Sequence, residues 1–390
     1  LKGEFILGDK WTEVMECYDL EVVSSAKGRY AQIVETDRGV MQLRPQSGSD
    51  GRLRSEFDFK ERLFNASFGE IDRLIHNQDG ELATADRYGT MYVLRRYFHG
   101  REISMTNMSE IDRAVENLAR LHLAGRMVWT DMCDTYEAET ASKTKQEKRS
   151  GDNEINEYTA APVRLPVVRM NYDLSRRNRE LKRVRAYISR MAKKSRFEEV
   201  YLDVYNQFYI QAQHSESKMA ELLKYGCTKP DICAAADDEK TAAGGLREIN
   251  RFSRHIGYCH GDYNNHNLLV TVKEKRLATV GFDKFYVGNQ LADLYYFARK
   301  AVEKNGYSFD VLGRILDGYA EHIGLSEDDY TYIYLLFSYP EKFYKLSSQY
   351  LNGSKTRISP VMLDKLDRII GDEQKKQKIL SKYREIFLHI

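Results

Sequence analysis

His260-Gly261-Asp262-Tyr263-Asn264-Asn265-His266-Asn267 carries the densest chemical signal in the chain. An Asp with an Asn five residues on offers a carboxylate to orient a hydroxyl and an amide oxygen to reach a divalent metal. Transfer of a phosphoryl group from a nucleotide needs that combination and little covalent work from the protein. His260 is expected to brace the turn. His266 reads as a loop-bonded histidine rather than a ligand, because no second His or Cys stands at metal spacing. Downstream, Leu268–Val272 and Leu277–Val280 are strand-like around the charged turn Lys273–Arg276 and read as a hairpin. Such a hairpin returns the residue after its second strand to the side of Asn267.

Upstream of this loop the pattern falls into two parts. From Asp19 to Leu94 short alternating runs prevail: Tyr30–Glu35 and Gly39–Arg44 flank the turn Thr36-Asp37-Arg38 as a hairpin, Phe57, Glu61 and Phe64 recur at helical spacing, and Phe68–Ile75 and Thr90–Leu94 are strand-like. After Gly100 long helices take over. Ser109 with Asp112 three residues on suggests a capped start, and Ile111, Val115, Leu118 and His122 line one face of the helix that follows. Cys133–Ala161 is polar and reads as a loop or insertion, as does Thr228–Gly245. Leu174, Leu181, Val184, Ile188 and Met191 mark the buried face of a helix whose other positions, from Arg176 to Arg196, are strongly basic; a solvated face and an anion-binding surface are the two readings. The expected architecture is α+β and bilobal: a β-rich N-lobe over residues 1–98, and a mainly helical C-lobe over 99–390.

Composition narrows the function classes. The 390 residues carry 60 Lys and Arg against 58 Asp and Glu, so attraction to nucleic acid or membrane could come only from a local patch. No nucleic-acid motif accompanies the basic helix, and no apolar run is long enough to span a bilayer. Leu1–Lys10 lacks the pattern of a signal peptide, and the five cysteines show no paired spacing, which suggests reduced thiols in a soluble, cytoplasmic chain. Tyrosines such as Tyr295, Tyr296, Tyr332, Tyr334, Tyr339 and Tyr344 read as packing residues rather than a base-stacking platform.

His260-Gly261-Asp262 with Asn267, a hairpin, Phe282-Asp283 and then Ala292-Asp293-Leu294 resembles the aminoglycoside and choline phosphotransferase family, within the protein-kinase-like superfamily. Leu118–His122 matches that family's helix before its substrate-domain insertion. More narrowly, Tyr92-Val93-Leu94 through Gly100-Arg101-Glu102, Asp293–Lys300, Tyr339–Phe343 and Tyr350-Leu351-Asn352 resemble the bacterial spore-coat CotS family. The resemblance implies ATP and magnesium as cofactors and a small-molecule hydroxyl as acceptor. It puts Asp262 at the catalytic-base position, Asn267 at a metal-ligand position and Asp293 at a structural position bracing the loop, and gives the backbone from Leu94 to Tyr97 the role of adenine-binding linker. Gly28 is what remains of a glycine-rich phosphate loop.

Two positions depart from the family pattern. Gly281 stands where a metal-binding Asp is expected, and Asp283, two residues on, is the candidate substitute. Arg44 stands where the phosphate-binding Lys would be, and its planar fork does not reproduce a compact ammonium. Glu56 and Glu61 are both candidates to pair with it. The expectation is a CotS-type kinase-fold protein of the mother-cell cytoplasm and spore coat, binding coat proteins or an acidic polymer, with weak or lost phosphoryl transfer; the alternative is an active ATP- and magnesium-dependent phosphotransferase.

Overall fold

The computed structural model describes residues 10–28, 31–46, 48–147, 168–169, 173–224, 252–272, 276–353 and 360–390. Its N-terminal part is an antiparallel sheet with strand order β1-β2-β3-β6-β4 and β5 added against β6. The strands are β1 (Val22–Gly28), β2 (Ala31–Thr36), β3 (Gly39–Pro45), β4 (Leu74–Ile75), β5 (Thr84–Ala85) and β6 (Met91–Arg96). The β2–β3 hairpin turns where the alternation predicts it, closing on the Thr36–Gly39 pair with Gly39 at φ +108°. Only Leu74 and Ile75 of the strand-like run after Phe68 join the sheet, because Asp72 and Phe68 turn inward before it.

Helix α1 (Lys10–Met15) supplies Val14 and Met15 to one face of this sheet, where Val34, Met41, Leu43 and Leu94 meet them. Helix α2 (Asp50–Asn65), capped by Ser49, presents Leu53, Glu56, Phe59, Lys60 and Leu63 as its buried face. Two charges sit inside that face, and their pairing governs the site.

The C-terminal part is built on α3 (Met108–Glu147), α4 (Leu174–Ser189), α5 (Arg196–Lys224), α6 (Leu291–Lys304), α7 (Phe309–Ala320), α8 (Glu327–Ser338), α9 (Glu341–Asn352) and α10 (Pro360–Tyr383). Two small sheets lie among them: β7 (Gly100–Glu102), β10 (Leu268–Thr271) and β11 (Leu277–Thr279) in the order β11-β10-β7, and β8 (Val168–Arg169), β9 (Ile256–Cys259) and β12 (Tyr286–Asn289) in the order β8-β12-β9. The expected hairpin is thus β10–β11, with Leu268 opposite Thr279.

The structure corrects two readings of the first long helix. Its cap is Asn107, whose side-chain oxygen accepts from the Ser109 and Glu110 N–H groups, and Ser109 already lies inside the helix. The helix also continues to Glu147, so 133–147 is not a loop; residues 148–161 and the 228–245 interval lie outside the described residues. Ile111, Val115, Leu118 and His122 are buried as their spacing predicts. Tyr295, Tyr332 and Tyr339 are likewise core residues. Among the described residues no helix is long and apolar enough to cross a membrane. Cys17, Cys133 and Cys259 are in no disulfide, while Cys227 and Cys233 lie outside the described residues.

Candidate active site

The loop from His260 to Asn267 is fixed from below. The Asp293 carboxylate, at the start of α6, accepts the backbone N–H of His260 at 2.6 Å and of Gly261 at 3.1 Å. His260 is fully buried; its Nδ1 accepts the Asp262 N–H, so the ring proton sits on Nε2 and is donated to the Val280 carbonyl at 3.0 Å. Burial lowers the His260 pKa and keeps the ring neutral, which suits that arrangement. Gly261 has φ +78°, and a Cβ there would lie 2.1 Å from the Lys284 carbonyl oxygen, so no other residue fits. Tyr263 points into the core, donating to the Ala114 carbonyl at 2.7 Å and accepting from Asn117 at 2.9 Å, which bolts the loop to α3.

Asp262 is partly exposed and surrounded by donors: Lys284 Nζ at 2.8 Å, Asn264 Nδ2 at 2.9 Å and Tyr296 Oη at 3.0 Å. Burial on its own would raise its pKa, but Lys284 and Tyr296 outweigh it and hold the carboxylate below its ordinary range. The Tyr296 hydroxyl is pushed up to about 12 by burial and by the Asp262 charge. Asn267 donates from Nδ2 to the Asp262 carbonyl at 2.9 Å, leaving Oδ1 turned to Gly281. The hairpin therefore brings Gly281 beside Asn267: a Cβ on Gly281, which has φ +77°, would stand 2.5 Å from Asn267 Oδ1.

Asp283 and Arg44 meet directly. A guanidinium nitrogen of Arg44, on β3, donates to Asp283 Oδ1 across the cleft, and Arg95 Nη2 lies 3.8 Å from the same oxygen. Arg52 of α2 reinforces the bridge, donating to the Asp283 carbonyl at 3.1 Å and the Phe285 carbonyl at 2.6 Å. The short turn Phe282–Lys284 thus neutralises both sides of the site, Arg44 through Asp283 and Asp262 through Lys284.

Neither glutamate proposed for Arg44 pairs with it. Glu61 binds Arg73. Glu56 is buried and held by Arg95 from β6 and by Lys60, four residues on, at 2.7 Å. Lys60, fully buried, also reaches Asp72 Oδ1 at 2.7 Å, and Asp72 Oδ2 accepts the Gly281 N–H at 3.2 Å. The cluster Glu56, Lys60, Asp72 and Arg95 is the part of the site that sequence reasoning missed. Lys60 carried a weak signal, being four residues after Glu56 and inside an apolar face, whereas Arg95 follows two apolar strand residues and carried none.

The linker reading also changes. Leu94 is buried within β6, paired to Leu43 on one edge and Ile75 on the other, and the Tyr97 N–H donates to the Val40 carbonyl at 2.9 Å. Adenine recognition by that N–H would require the bond to Val40 to open. Gly28 ends β1 opposite Ala31, at the far edge of the sheet from β6. His266 is exposed and bonded through Nδ1 to Glu102 at 2.7 Å.

Magnesium requires near-octahedral oxygen coordination and is usually held by one or two carboxylates. Of the side chains here, Asn267 offers a neutral amide oxygen, Gly281 nothing, Asp283 is engaged by Arg44 and Asp262 by Lys284. These residues do not fit a magnesium site as they stand, and among the described residues no group of three or more His, Cys, Asp or Glu side chains converges.

This arrangement defines a protein-kinase-like phosphotransferase fold. The chain belongs to the phosphotransferase enzyme family, whose model matches residues 32–334. No curated protein matches it in sequence. It is similar in structure to an aminoglycoside phosphotransferase from Alicyclobacillus acidocaldarius, with TM-score 0.69 and 13% identity over 97% of this chain and 96% of that one. Spectinomycin phosphotransferase APH(9)-Ia, crystallised with ADP and spectinomycin, gives TM-score 0.57 and 11% identity over 93% and 96% of the two chains. Amicoumacin kinase hAmiN, in complex with AMP-PNP, Ca2+ and Ami, gives 0.51 and 11% over 94% and 92%. At these identities the likeness is one of fold.

Two outcomes test the buried cluster. Lys60→Met strands Glu56 and Asp72 without their shared cation, and should lower unfolding stability in urea by about 3–5 kcal/mol with little change in m. Glu56 has its pKa lowered from 4.5 to about 2, since Lys60 and Arg95 overcome the opposing effect of burial. A carboxylate whose pKa is lower in the folded state contributes stability above its unfolded pKa and loses it as pH falls through the folded one. Stability measured by urea unfolding should therefore drop as pH falls from about 4.5 towards 2, and Glu56→Gln should be less stable at pH 6 with a shallower acid dependence.

Proposed function

We propose that this chain is a kinase-fold protein of the spore-coat CotS type in which phosphoryl transfer is weak or lost. The observation that carries the reading is the pairing of Arg44 with Asp283 next to Gly281: the phosphate-side cation and the substitute metal ligand neutralise each other, and the usual ligand position has no side chain. A nucleotide would have to displace Asp283 from Arg44 and bring its metal to a site offering one amide oxygen.

The CotS reading is supported by the motifs at Tyr339–Phe343 and Tyr350–Asn352, which serve packing rather than the cleft. Glu341 is buried and bonded to Arg177 at 2.6 Å, Tyr339 donates to Asn178 at 3.0 Å and Tyr350 to Glu198 at 2.6 Å. Tyr339, Glu341 and Phe343 also border a cavity of about 50 Å³. Selection for a packed C-lobe surface that meets coat partners, without demand on the nucleotide site, would leave this pattern.

A second reading, an active phosphotransferase on a small-molecule hydroxyl, draws on the intact geometry of Asp262, His260 and Asp293. It requires Lys284 and Asp283 to swing away when nucleotide and acceptor arrive.

Thermal melting separates the two. A ligand stabilises only by binding the native state, so millimolar ATP with magnesium should raise Tm little. Arg44→Lys combined with Gly281→Asp should increase the shift, although the new Asp sits at φ +77° and must move the Asn267 amide. A clear magnesium-dependent shift in the unaltered protein would favour the active enzyme.

A further inference from the structure

Cations gather around Tyr296, beside Asp262. Tyr296, whose hydroxyl bonds Asp262, has Lys300 Nζ 5.6 Å, Lys345 Nζ 5.8 Å and Arg299 Cζ 5.6 Å from its ring centroid. Tyr296, Arg299 and Lys300 share one face of α6, at spacings of three and four residues, Lys345 faces them from α9, and Lys284 bonds Asp262.

The carboxylates present are shared among these cations, with Asp372 also reaching Lys342 at 3.5 Å. Asp262 is taken by Lys284, Glu303 is shared by Arg299 at 2.7 Å and Lys342 at 3.6 Å, and Glu341 is shared by Arg177 at 2.6 Å and Lys345 at 3.2 Å. Lys300 is left over: it is partly buried, and among the described residues its ammonium has neither a hydrogen bond nor an ion pair, only the Tyr296 ring. Burial, Arg299 and Lys345 work against its charge and outweigh the favourable fields of Glu303 and Asp262, so its pKa is lowered. A partly buried cation beside two others is stabilised by an anion placed between them.

We propose that this cluster of cations beside Asp262 binds a small molecule carrying a phosphate or carboxylate group, gripped by Lys300 and Lys345 with Lys284 swung from Asp262 towards it. The proposal rests on the reading of Asp262 as the acceptor-side carboxylate, and it concerns the ligand class that side takes. A cationic ligand would meet Lys300 and Lys345 head on, whereas an anionic one gives Lys300 an ion pair and adds to the Glu341 that Lys345 shares with Arg177. The site works for binding alone as well as for presenting a hydroxyl to Asp262.

The test is titration of the full chain with inorganic phosphate, and separately with citrate, at fixed ionic strength and without nucleotide, read by calorimetry and by melting. Saturable binding is expected, weakened about tenfold in Lys300→Gln and in Lys345→Gln, as for loss of a charged hydrogen bond. Both variants should melt near the unaltered protein in the absence of ligand. Choline, as a cationic probe, should not bind. Absence of saturable binding, binding unchanged in both lysine variants, or binding abolished instead by Arg44→Gln, which would put the anion on the nucleotide side, overturns the proposal. Because no nucleotide is present, these outcomes are independent of whether ATP binds.

Discussion

The pairing of Glu56 with Lys60 and Arg95 is the constraint from which the rest of the site follows. A buried carboxylate left without a cation would be strongly destabilising, and here two cations reach it, one from its own helix and one from β6. With Glu56 held by Lys60 and Arg95, Arg44 on β3 pairs, among the described residues, across the cleft with Asp283. Asp72, held by Lys60, in turn fixes the Gly281 N–H. Charge pairing inside one lobe thus bears on the segment after β11 in the other, through Asp72 at the Gly281 N–H and Arg44 at Asp283.

The same segment shows how a single turn can pair with two groups of opposite sign. Asp283 and Lys284 are adjacent and of opposite sign, and they face opposite sides of the site. The Lys284 side chain is 67% and the Asp283 side chain 41% exposed, so these pairs are more screened than the buried cluster behind them. The rigid element is therefore the scaffold of Asp293, His260 and Tyr263, and the adjustable element is the turn resting on it.

Much of this was legible in the sequence where the pattern was local. The β2–β3 and β10–β11 hairpins followed from alternation around short turns, and the placing of Gly281 beside Asn267 followed from the second hairpin. The extent of α3 was not legible, since residues 133–147 are polar and give no apolar stripe, although Glu, Ala and Lys there favour a helix. The cap at Asn107 was missed because Ser109 fits the same signature two residues later. Arg44's partner was out of reach of any spacing rule: Asp283 lies 239 residues away, while Glu56 and Glu61 were near enough to look plausible and each had a closer cation.

On the function proposed for this chain, the cleft holds a nucleotide-bound metal weakly or not at all. Electron paramagnetic resonance of Mn2+ titrated with ATP, in the presence and absence of the protein, reads that grip directly. The spectrum should be that of Mn2+·ATP free in solution whether or not the protein is added. A protein-bound Mn2+ signal that saturates at one equivalent and disappears in Asn267→Ala would contradict the account.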